Sequence, residues 1–133
     1  MKLPRFLKKK EFVSKVDPDK WNAMWDLWID DQVDAPYAQL MYYQSEVSNG
    51  GHGQYFSNCE ENGDLKKEMA VLKTILPVKN RFYLWLAYRA YRSCAKKENA
   101  VAELLTLWCD IVVDMDEARL NGILEEYAEK LEV

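Results

Sequence analysis

The chain has 133 residues, 49% hydrophobic and 30% charged, with only 5 glycines and 4 prolines. That length supports one domain burying roughly two-thirds of its unfolded surface, and the composition excludes disordered, collagenous and disulfide-scaffold classes. The net charge of -4 hides opposing blocks: residues 65–97 hold nine basic residues against one acidic, and residues 98–133 hold two against ten.

Residues 1–16 carry six basic residues against one acidic and read as a basic N-terminal arm. The arm has no secretory apolar region, and no later apolar run approaches the roughly 18 residues of a membrane span. Residues 17–133 read as one all-α domain of about six helices. The first helix is expected at Asp17-Pro18, a strong N-cap followed by a proline suited to the first helical position. Its stripe is Trp21, Trp25, Trp28 and Ile29, and Asp26, Asp30 and Asp31 fall on its outer side. A second helix from Pro36 carries Tyr37, Leu40, Met41, Gln44 and Val47, and Asn49-Gly50-Gly51 is expected to stop it. The third helix starts after Gly63-Asp64, carries Leu65, Met69, Leu72 and Leu76, and ends at Pro77. The fourth opens near Asn80; Phe82, Trp85, Leu86 and Ala90 nearly encircle its axis, which marks it as the central helix. The fifth presents Val101, Leu104, Leu105, Trp108, Ile111 and Val112 as its core stripe. Asp114 with Glu117 resembles a capping box for the sixth, which carries Leu120, Ile123, Leu124, Tyr127 and Leu131.

The chain departs from generic helix packing between residues 46 and 58, which hold three of the five glycines and the only histidine. Gly50 and Gly51 permit positive φ and a close chain reversal, while Gln54 and Asn58 share a face if a short helix resumes. Buried amides at such a reversal satisfy backbone groups in the structural reading. In the functional one, Asn49, His52, Gln54 and Asn58 line a ligand pocket.

An acidic residue followed by N-G-G-x-x-Q-Y-F-x-N resembles the signature of the bacterial DNA mimic protein 19-like domain family, most of whose members are of unknown function. The resemblance rests on Glu46, Asn49, Gly50, Gly51, Gln54, Tyr55, Phe56 and Asn58. It implies an all-helical fold, and in that family mimicry means offering carboxylates in place of phosphates to a DNA-binding regulator. Two positions depart from the pattern: His52 replaces the usual aromatic, and Cys59 replaces a small polar residue.

No catalytic residue emerges. His52 lacks an orienting group and an oxyanion site at any recognised spacing from Cys59. One histidine and Cys59, Cys94 and Cys109 do not make a metal-ligand pattern, and no cofactor motif appears. The odd, widely spaced cysteines fit a reducing cytoplasm.

The expectation is a non-enzymatic bacterial protein-interaction domain whose acidic helical surfaces bind a partner through Asp26, Asp30, Asp31, Glu125, Glu126 and Glu129. No direct nucleic-acid or membrane binding is expected. A small-molecule or enzymatic pocket at the glycine motif is the alternative. A homodimer through exposed aromatics, with Tyr42, Tyr43, Tyr88 and Tyr91 as candidates, is the third reading.

Overall fold

The computed structural model describes residues 16–132. Of the expected arm at residues 1–16, residues 1–15 lie outside the described residues, while Val16 is buried and belongs to the core. Six helices follow in chain order: α1 (Pro18–Ile29), α2 (Tyr37–Asn62), α3 (Leu65–Lys73), α4 (Val78–Lys96), α5 (Ala100–Met115) and α6 (Glu117–Glu129). There is no strand among the described residues, so the all-α expectation holds. No helix among them is long and apolar enough to cross a membrane.

Local sequence accounts for the helix starts. The Asp17 side chain accepts from the Asp19 N–H at 2.9 Å, ahead of Pro18 at the first helical position. Asp64 caps α3 through the Lys67 N–H at 3.2 Å, and Asn99 caps α5 through the Ala102 N–H at 3.2 Å. Each bond satisfies one of the donors that a helix N-terminus leaves open. The N-cap of α6 is Asp116, the junction with α5, rather than the expected Asp114, and Asp116 makes no side-chain cap bond.

The central element is α2 rather than α4. Leu40, Met41, Tyr43, Val47, His52, Tyr55, Phe56 and Cys59 of α2 are all buried, and α3, α4, α5 and α6 all pack on it. α1 lies against α6, and α4 pairs with α5. α4 buries only Asn80, Leu84, Ala87 and Ala90, and its Phe82 and Trp85 are exposed.

The largest correction concerns α5. Its expected core stripe is mostly outside: Val101, Leu104, Leu105 and Trp108 are exposed, while Ala102, Cys109, Val112 and Val113 are buried. This helix is apolar on two faces, so periodicity alone does not choose between them. The face of small residues turns inward, where small side chains let helices approach closely. Ile29 is likewise 74% exposed although it continues the tryptophan stripe; the first helix buries Met24 fully, and Trp21, Trp25 and Trp28 are half-buried against the core.

Candidate functional site

The glycine motif does not end the second helix; it bends it. α2 runs through residues 49–51 with a single non-helical residue, Gly51, at φ 83° and ψ -179°. That is a conformation side chains with a Cβ rarely adopt. The bend gives the second half of α2 its own N-terminus at His52. The carboxylate of Asp110, on α5, sits there: its Oδ1 accepts the His52 backbone N–H at 2.8 Å. A carboxylate at a helix N-terminus meets both free N–H groups and the positive end of the helix dipole. A Cβ at position 51 would lie 2.5 Å from Asp110 Oδ2, so glycine is needed for the approach as well as for the dihedral angles.

The same Asp110 oxygen accepts from His52 Nδ1 at 2.5 Å. The far ring nitrogen, Nε2, lies 2.6 Å from the Tyr43 hydroxyl. A carboxylate only accepts, so Nδ1 carries the hydrogen, Nε2 accepts, and the Tyr43 O–H donates. Asp110, His52 and Tyr43 therefore form one directed chain from α5 through the kink to the first half of α2.

The order carboxylate, imidazole, hydroxyl is also that of a proton relay, but its terminus is sealed. His52 and Tyr43 are fully buried, and burial, followed by the nearby Cys109 and Asp110, pushes the Tyr43 hydroxyl well above its ordinary pKa. The Tyr43 ring packs edge-on against Tyr55 at 5.0 Å, and Phe56 lies between Tyr55, Tyr88 and Tyr91. Tyr43 is thus a core residue, and Tyr42, Tyr88 and Tyr91 are half-buried, packed against the core. Asp110 is the one member of the chain that meets solvent, at the edge of a 270 Å³ cleft beside Gln44, Ser48, Asp114 and Glu117.

A second brace spans the bend. Glu46 Oε2, before it, accepts from Gln54 Nε2 at 2.9 Å and from Asn58 Nδ2 at 2.6 Å, both after it. Gln54 folds back over Gly50, where a Cβ would fall 1.9 Å from its Oε1. The two amides thus serve a side-chain carboxylate, not backbone groups as expected. Glu46, Gly50, Gly51, His52, Gln54 and Asn58 are all engaged in holding the kink, and Tyr55 and Phe56 anchor it in the core. Asn49 is exposed, in a shallow groove with Trp21 and Trp25.

Cys59 is buried and pairs with Tyr55 rather than His52; burial pushes its thiol up to about 11. Among the described residues no three His, Cys, Asp or Glu side chains converge as a metal site. Sequence reasoning missed Asp110 and Tyr43 as the histidine's partners. The usable signal for Asp110 was that it is one of only three charges on α5, with Glu103 and Asp114.

The expected partner-binding carboxylates group differently. Asp26, Asp30 and Asp31 are exposed on α1 and its C-terminal turn, Glu126 and Glu129 are exposed on α6, and Glu125 is half-buried. Lys20 Nζ of α1 donates to the Glu129 carbonyl at 2.9 Å, tying the two helices together. Asp26 and Asp30 line one shallow groove with Leu131 and Glu132. No protein-family model, curated protein or solved structure matches the chain.

Proposed function

We propose that this chain is a non-enzymatic, cytoplasmic bacterial interaction domain that regulates a protein partner, such as a DNA-binding protein, through the acidic surface of α1 and α6. The observation that carries this reading is the exposure of Asp26, Asp30 and Asp31 on one helix and of Glu126 and Glu129 on the helix packed against it. Carboxylates displayed at that density attract and orient a basic partner. The resemblance of Glu46 to Asn58 to the DNA mimic protein 19-like family supports the same class of partner. The free thiols of Cys59, Cys94 and Cys109 support a reducing compartment.

The pocket alternative has less support, because Gln54, Asn58 and His52 spend their polar atoms within the kink. Affinity capture from the source cell's lysate tests the proposal. A partner that is held at low salt, released at high salt and displaced by added duplex DNA is expected. Binding indifferent to all of these overturns it.

A further inference from the structure

α5 has an outer face that nothing else in the described chain covers. Val101 (66%), Leu104 (67%), Trp108 (51%) and Met115 (46%) are exposed there, with Leu105 beside them and Ile111 half-buried. Positions 101, 104, 108, 111 and 115 recur at spacings of 3 and 4, the seam by which one helix packs along another. All three charges of the helix, Glu103, Asp110 and Asp114, lie off this seam, Asp110 on the side facing His52. The seam runs the length of a 16-residue helix, about 24 Å.

We infer that the occupant of this face is a second copy of the same chain, with α5 packed on α5 across a two-fold axis. Three features favour a copy. The seam is uncharged, so two chains that each carry a net charge of -4 meet there without opposing like charges. Its positions are symmetric: 101, 105, 108, 111 and 115 read the same in both directions about Trp108, so an antiparallel copy meets apolar residues with apolar residues at each of them. The area also suffices. The exposed apolar side chains of α5 present on the order of 600 Å² per copy, and pairing two such faces reaches the lower bound, about 1,200 Å², of stable interfaces.

α4 is a poorer candidate for the seam, because the Arg89 guanidinium sits over its exposed Trp85 at 5.3 Å and brings charge onto that face. The inference does not depend on the acidic-surface proposal, which concerns α1 and α6.

Sedimentation equilibrium of the full chain, from low to high micromolar concentration and in both 0.1 M and 1 M NaCl, tests it. The expected result is twice the 15.6 kDa chain mass, retained in high salt because the seam is apolar. Leu104→Glu and Trp108→Glu, each placing like charges on both sides of the axis, should give the monomer mass with unchanged helical circular dichroism. Phe82→Glu on α4 should remain a dimer. If either α5 variant loses its helical signal, Val101→Lys at the exposed first turn sets an unpaired charge against the apolar far end of the other copy's helix and should likewise shift the mass toward the monomer. A wild type that stays monomeric throughout, α5 variants that remain dimeric, or dissociation by Phe82→Glu instead would each overturn the inference.

Discussion

Replacing Asp110 with alanine removes the acceptor for two donors of a fully buried residue, the backbone N–H and the ring Nδ1–H of His52, held at 2.8 and 2.5 Å. Stranding a buried donor costs about 1 to 3 kcal/mol. The Asp110 side chain is 25% exposed, so water from the adjoining cleft replaces part of what is lost and the expected penalty is about 2 to 4 kcal/mol. For a domain of this size each kcal/mol moves the melting temperature by about 4 °C, which predicts a fall of about 8 to 16 °C. Circular dichroism at 222 nm during thermal and urea unfolding measures it. Hydrogen exchange adds a local readout, since the His52 amide should lose protection before its neighbours. Glu103→Ala, at an exposed position on the same helix, should change stability by less than about 0.5 kcal/mol. Asp110→Asn keeps an acceptor oxygen and should fall between. An Asp110→Ala protein that melts within about 2 °C of wild type, with the His52 amide still protected, would refute the capping role of Asp110.

Further outcomes follow from the same geometry. Gly51→Ala combines a left-handed dihedral with a Cβ 2.5 Å from Asp110 Oδ2 and should cost about 2 to 4 kcal/mol, whereas Gly53→Ala, with open space around its Cβ, should be neutral or stabilising by up to about 1 kcal/mol in the same urea titrations. Gln54→Ala with Asn58→Ala unties Glu46 from the far side of the kink and should lower stability by about 1 to 3 kcal/mol by chemical denaturation, while leaving partner binding intact. Burial pushes the thiols of Cys59 and Cys109 up to about 11, so at pH 8 a thiol reagent should label Cys94 first and the other two only on unfolding. Because those folded values lie above the ordinary 9.0, the unfolded chain gives up its thiol protons first. Stability should therefore decline as pH rises from about 9 to about 11, measurable as a falling urea midpoint.

The helices were legible where local chemistry decides them. Asp17-Pro18 and Gly63-Asp64 each combine a capping side chain or a break with an apolar period, and each marks a real boundary to within a residue or two. Periodicity finds a stripe but not its direction, and α5 shows the consequence: with large apolar residues on one side and small ones on the other, the side that faces the core depends on what it meets. What it meets is the His52 end of the α2 kink, set by Asp110 across 58 residues of sequence. Asn49-Gly50-Gly51 was readable as a break and Gly51 does take positive φ, yet whether the chain reverses or bends depends on Glu46 and Asp110 pulling from either side. The residues of the glycine motif were therefore identifiable as special from sequence, while their role in bracing a bend was not, because their partners lie on other turns and another helix. The carboxylates of α1 were legible as a solvent face, since the tryptophans occupy the opposite stripe.

The most direct measurement of the central proposal is affinity capture of the partner with three folded proteins side by side: wild type, Asp26→Lys with Asp30→Lys and Asp31→Lys, and Gln54→Ala with Asn58→Ala. Each is washed at 0.1 and 0.5 M NaCl. The acidic-surface account predicts that the same partner is retained by wild type and by the Gln54 and Asn58 variant at low salt, and is lost with charge reversal on α1 or with high salt. A partner held equally by the charge-reversed protein but lost from the Gln54 and Asn58 variant would contradict it and move the binding site to the α2 kink.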